Sequence, residues 1–201
     1  MANDTTTNRP PRATRTTHSR LFRLIAIVIL VLIVLVGLVV LITWLAIKPK
    51  RIFYTVDDGS IKNFNINTNR INATFGLVIM AHNPNRRISM YYDSIEVTVA
   101  VHGQTVAFNT LEPFYQPRKN VSRLDATLES RDVALSSSLS RDLRLEKRSG
   151  EAEIDVLIRA RIRFKIGVMK IRHRTLKISC SSVKINFSSS KGFQRAYCDI
   201  D

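Results

Sequence analysis

Histidine and cysteine, on which metal and nucleophile chemistry so often depends, are scarce here: four and two residues in a chain of 201. His18, His82, His102 and His173 are scattered and never fall into HExxH spacing. GxSxG and the phosphate-cradling GxxxxGK[ST] are also absent, which removes the sequence basis for a zinc hydrolase, a serine hydrolase or a P-loop nucleotidase. Cys180 and Cys198 fit no zinc pattern, because neither a CxxC pair nor clustered histidines accompany them. The chain therefore reads as non-enzymatic, with no catalytic residue, metal or cofactor. In an oxidising compartment the two cysteines are expected to form one bridge, worth about 3 kcal/mol for a loop of that size; buried free thiols are the alternative.

Acidic residues are also in short supply, 16 against 31 basic ones, for a formal net charge of +15. Arg9, Arg12, Arg15, Arg20 and Arg23 against Asp4 give the first 23 residues +4, leaving +11 for the remainder. Such a surface favours phospholipid headgroups, acidic polysaccharide or nucleic acid. Nucleic acid fits least, because the aromatic residues do not interleave with the basic ones as a stacking platform would.

Charge disappears between residues 24 and 47, LIAIVILVLIVLVGLVVLITWLAI. At about 1.5 Å per residue this run crosses a hydrocarbon core of about 30 Å with some tilt. Thr43 can bond its own backbone, and Trp44 sits where an indole prefers the headgroup level. Gly37 stands alone, so there is no small-xxx-small dimerisation face. A cleaved signal peptide would have a shorter apolar region and a small-residue cleavage site, and neither is present. The expectation is an uncleaved transmembrane anchor over 24–47.

Residues 1–23 are rich in Thr, Arg and Pro and are expected to be a disordered basic tail. That tail has neither a second-position Gly for myristoylation nor a Cys for palmitoylation. Lys48, Lys50 and Arg51 flank the far end, so the charge rule places the N-terminus in the cytosol by only a small excess. The sequons at Asn72, Asn120 and Asn186 lean the same way, because N-glycosylation occurs only in the secretory lumen. Residues 48–201 are enough for one compact domain.

From Phe53 onward the dominant period is two. Ile71, Ala73, Phe75, Leu77, Ile79 and Ala81 alternate with more polar positions and predict a strand with one face in a core, Asn72 pointing outward. Ile95 to Val101 repeats the pattern, and His102-Gly103-Gln104 reads as a turn leading to Val106 and Phe108. Leu124, Ala126 and Leu128 follow, then a serine-rich helix or loop closed by Gly150. Glu153 to Ile166 is the clearest strand, with Arg159, Arg161, Arg163 and Lys165 on its polar face. Leu176, Ile178 and Cys180, then Val183, Ile185 and Phe187, read as the last strands, with Asn186 outward. The fold class expected is all-β: an antiparallel two-sheet sandwich, immunoglobulin or fibronectin-III-like, preceded by one transmembrane helix. There is no internal repeat.

The string NPNRRISMYYD holds Asn83, Pro84, Asn85, Tyr91, Tyr92 and Asp93. Pro84 pushes Asn83 toward extended geometry and asparagine side chains cap turns, so a structural corner is the favoured reading over a ligand site. With Pro113-Phe114-Tyr115-Gln116, the late cysteines and the order of tail, anchor and β domain, the string resembles the plant family of harpin-induced-like and non-race-specific disease resistance-like membrane proteins. Their extracellular part is a group-2 late embryogenesis abundant domain.

The resemblance implies a plasma membrane protein acting in plant defence or stress as a surface interaction or signalling component, with protein partners it does not name. Plasmodesmata or another secretory membrane are alternative sites. It also leaves open an apolar-ligand-binding module. The basic face of Arg159, Arg161, Arg163 and Lys165, continued by Lys170, Arg172, His173, Arg174 and Lys177, is expected either to be a solvated face that discourages edge pairing or to contact anionic lipid or acidic cell-wall polysaccharide.

Overall fold

The apolar run forms a single helix, α1 (Thr17–Ile47). The computed structural model describes residues 17–47, 50–167, 169–187 and 192–201; for 17–19, 46–47 and 169–172 it describes backbone only. The helix starts seven residues before residue 24 and so takes in the last part of the expected disordered tail. Once an apolar run has nucleated a helix, each added residue costs little, and Leu21, Phe22 and Arg23 are adequate helix formers. The rest of the tail, 1–16, lies outside the described residues. Between Arg20 and Leu45 the helix is long and apolar enough to cross a membrane, and none of it is buried. The Thr43 hydroxyl donates to the Val39 carbonyl at 2.7 Å, so that hydroxyl is satisfied within the helix.

A second unit begins after residue 48 and has its own core. It comprises β1 (Phe53–Asn67), β2 (Arg70–Asn83), β3 (Ile88–Val101), β4 (Gln104–Leu111), β5 (Phe114–Gln116), β6 (Asn120–Ala134), α2 (Ser137–Ser149), β7 (Glu151–Ile166), β8 (Met169–Asn186) and β9 (Ala196–Ile200). The alternation predicted for β2 is realised: Ile71, Ala73, Phe75, Leu77, Ile79 and Ala81 are all buried and Asn72 is exposed. In β7, Ile154, Val156, Ile158, Ala160 and Ile162 point inward.

The strands hydrogen-bond into one nine-stranded sheet in the order β4-β3-β7-β8-β9-β1-β2-β6, with β5 beside β3. The ladders are antiparallel apart from a single parallel contact, Ser60 to Asn186. The end strands meet through side chains. Gln104 donates to the Ala134 carbonyl at 2.6 Å, Asn109 to the Thr127 carbonyl at 2.7 Å, and the Ser130 hydroxyl to the Val106 carbonyl at 2.5 Å. The result is a nearly closed sheet in place of two separate hydrogen-bonded sheets. Alternation reports that each strand has one buried face; a curled sheet and a sandwich give the same pattern.

Three local departures have identifiable causes. A register shift between Val99 and Ala100 puts one extra residue into β4, so Val106 and Ala107 are both buried and Phe108 turns outward, 69% exposed. The two last strands are one, β8, bent at Ser182, which takes a positive φ of 56° opposite a shift between Ile154 and Val156. Val183 and Ile185 stay inward beyond the bulge, yet Asn186, expected outward, is buried as well, where β8 meets Glu151 of β7 and Ser60 of β1. The serine-rich segment is a helix. Ser136 caps it by accepting from the Leu139 amide at 3.2 Å, Gly150 closes it in the left-handed region at φ 86°, and Leu139 and Leu143 face the core.

Candidate functional site

The asparagine-proline-asparagine turn connects β2 to β3 and is the most heavily bonded corner of the β unit. Asn83, 2% exposed, donates through Nδ2 to the carbonyls of Ile88 and Pro117, both at 2.9 Å. Its Oδ1 accepts from the backbone amide and the side-chain amide of Asn85, each at 3.1 Å. Asn85 then pairs with the backbone of Lys50 in both directions: the Lys50 amide donates to Oδ1 at 2.7 Å, and Nδ2 donates to the Lys50 carbonyl at 2.9 Å. The Lys119 amide closes the knot on the Asn85 carbonyl at 2.9 Å. Two side chains thus tie together the first described residues of this unit, the start of β3 and the β5–β6 connection. Pro84 supplies the fixed φ of the turn between them.

Tyr91 and Tyr92 point to opposite faces, as their strand position requires. Tyr92 is buried and stacks on Phe114 with centroids 4.3 Å apart. Its hydroxyl lies 2.6 Å from that of Tyr54 and donates to Gln116 Oε1 at 3.2 Å, while Gln116 Nε2 donates to the Ala81 carbonyl at 2.7 Å. Sequence reasoning assigned no role to Tyr54 or to Gln116, which is fully buried. They meet Tyr92 across 38 and 24 residues, and no short-range pattern announces such a pairing.

Burial pushes the Tyr92 phenol up from 10.0 to about 12, and burial, reinforced by Tyr92, holds Tyr54 well above its ordinary value. Both groups keep their protons more tightly folded than unfolded, so their contribution is intact below about pH 10 and is lost as pH rises toward 12. Stability should therefore fall steeply above pH 10, by about 2–3 kcal/mol for Tyr92 alone, read as a falling denaturation midpoint. Tyr92→Phe should be less stable at pH 8 and should flatten that alkaline slope; an unchanged slope would show that the phenols do not govern it.

On the outer face, Asp93 sits at a register shift between β3 and β7 and meets two partners, Arg163 and His173. The Arg163 guanidinium donates through Nε at 2.9 Å, and His173 Nδ1 lies 3.0 Å from the carboxylate. The hydrogen bonds from Arg163, more than the charge of His173, hold the Asp93 carboxyl below its ordinary range. Tyr91 lies beside Tyr115 and under Arg163, whose guanidinium carbon is 5.7 Å from the ring centroid.

The expected basic strip is therefore interrupted: Arg163 is neutralised and Lys165 is half-buried. Arg159 and Arg161 remain exposed, and Arg159 pairs in register with Lys177 on one side and Glu96 on the other. These three border a shallow groove of about 390 Å³ with Thr98, Leu157, Ser179 and Asp201. The side chains of Lys170 and Arg172 lie outside the described residues.

The two cysteines are joined, Cys180 to Cys198, with Sγ atoms 2.04 Å apart. Of the sequon asparagines, Asn72 is exposed, Asn120 is half-buried at the rim of an apolar recess of about 240 Å³, and Asn186 is buried. Ser188 of the third sequon is outside the described residues. His82 stacks on Phe53 at 4.3 Å, and burial pulls its imidazole below the ordinary value against the opposing pull of Asp57. Among the described residues, no group of three or more His, Cys, Asp and Glu is arranged to hold a metal. The interior, where an apolar ligand would have to lie, is occupied by Phe75, Leu77, Ile79, Ile95, Leu128 and Ile162.

Residues 79–181 match the family model of the late embryogenesis abundant proteins, group LEA_2. An uncharacterized protein of Arabidopsis thaliana is 44% identical over 162 residues, spanning 79% of this chain and 73% of that protein. NDR1/HIN1-like protein 10 of the same plant is 35% identical over 76% of this chain and 68% of its own length. NDR1/HIN1-like protein 3 is 34% identical over 80% and 72%.

Proposed function

The chain belongs to the NDR1/HIN1-like late embryogenesis abundant family, and on that premise we propose that it is a membrane-anchored, non-enzymatic surface component of plant defence and stress responses. The family relationship carries this reading. The wholly exposed apolar helix supports anchoring; in this reading the N-terminus lies in the cytosol, the side favoured by the small excess of basic charge before the helix, and the β unit lies outside the plasma membrane. Glycans on Asn72 and Asn120 would agree with that side; the burial of Asn186 removes it from the proposal.

A second reading, attachment to acidic wall polysaccharide, draws on the exposed Arg159 and Arg161 beside Lys177. It is the weaker of the two, since Glu96 and Asp93 sit within the same face. Apolar-ligand binding is disfavoured by the filled core.

Topology decides the main reading. On intact protoplasts, added protease should remove the β unit, and endoglycosidase should shift the mobility of the full chain. Asn72→Gln combined with Asn120→Gln should abolish that shift. A protected β unit with no glycan would overturn it.

A further inference from the structure

We propose that the end of the β unit gathered by the Asn83-Pro84-Asn85 corner is a docking surface for anionic lipid headgroups. The corner draws together three segments far apart in sequence. Asn85 holds Lys50 through both backbone groups, and Lys119 donates to the Asn85 carbonyl, which brings in the loop from Pro117. These segments contribute Lys50, Arg86, Arg87, Arg118 and Lys119, all exposed. None of the five forms an ion pair among the described residues, and residues 50–53, 84–88 and 117–120 contain no Asp or Glu. Arg51, at the same end, shares a groove with Asp199 and is left out for that reason.

Two comparisons make this end the better candidate for a phosphate-bearing surface. The strand face first singled out by sequence has its positive charge offset: Arg163 is held by Asp93, and Arg159 lies in register with Glu96. The five cations here form no such pairs among the described residues, and clustered, unneutralised Lys and Arg attract anionic headgroups. The covalent chain supplies the second argument. Lys50 follows Ile47 by three residues, at most about 11 Å of extended backbone. If the apolar helix occupies a bilayer, this short tether keeps Lys50 within reach of headgroups. The inference rests in that respect on the anchor proposed above, but the cluster itself does not depend on it.

The test uses the full chain with phosphatidylcholine membranes, with and without phosphatidylserine. In nanodiscs, amide exchange at 84–88 and 117–120 should be slower in the anionic discs, the protection should disappear on adding salt, and Arg86→Glu with Arg87→Glu should remove it. Docking should weaken about fivefold for each cation lost. Arg161→Glu, on the strand face, should leave the protection intact, which controls for a general effect of charge. Failure of the chain to enter discs of either composition would contradict the anchor; salt-sensitive flotation with anionic vesicles would then still support the surface, and no flotation would overturn it. Entry into both discs with equal exchange in the two would overturn the surface while leaving the anchor standing.

Discussion

Replacing Asn83 by alanine is expected to destabilise the β unit by about 4 kcal/mol, more than most single changes. The substitution strips partners from two groups on buried residues, Ile88 and Asn85, and from one on the exposed Pro117. The Ile88 carbonyl loses its Nδ2 donor, the Pro117 carbonyl loses the same amide, and the backbone amide of Asn85 loses its acceptor. Each buried polar group left unpaired costs about 1–3 kcal/mol, and the small void adds to that. Asn83→Asp should not rescue, because it restores the acceptor but sets a carboxylate against two carbonyl oxygens. Asn85→Ala should cost less, about 2 kcal/mol, since its partner Lys50 is exposed and water can replace the lost bonds. Denaturant titration reads the effect as a lower midpoint at unchanged slope. A loss below about 1 kcal/mol for Asn83→Ala would mean that the corner is not the fastening its geometry suggests.

How much of this corner was legible in sequence depends on distance along the chain. The bond from Asn83 Oδ1 to the Asn85 amide spans two residues, and it is the local asparagine turn that the dipeptides with proline predict. The bonds to Pro117 and Lys50 span 34 and 35 residues and left no trace in any window. The same division runs through the fold. Alternation identified the inward faces of β2 and β7 because one-sided burial is written residue by residue. It mispointed Asn186, buried where β8 meets two neighbouring strands, it did not carry the bulge in β4 that turns Phe108 outward, and it did not register that the strands join into a single curled sheet. The basic strip was misread for a related reason. Arg163 was assigned to an open face, although Asp93 had already been noted in another motif; what was missing was the register that sets them side by side.

Removing the Cys180–Cys198 bridge is expected to cost about 3–4 kcal/mol, because it fastens the weakest seam in the sheet. Strand β9 has only five residues, yet it is the strand between β8 and β1 in the sheet order. Its ladder with β1 involves three pairs and that with β8 two, whereas β7 and β8 are paired along most of their lengths. Without β9, β8 and β1 would touch in register only at Ser60 and Asn186. Cys180 is fully buried in β8, so the bridge fixes β9 to a strand already held by the core. Closing a loop of 18 residues restricts the unfolded chain by about 3 kcal/mol, and fraying of β9 adds the rest. The double variant Cys180→Ala with Cys198→Ala avoids leaving a lone thiol and should melt about 10 °C lower. Reductant should lower the midpoint of the unsubstituted chain to a similar degree and leave the double variant unmoved. Equal midpoints with and without reductant would remove the bridge from the stability of the seam, and with it the advantage of folding in an oxidising compartment.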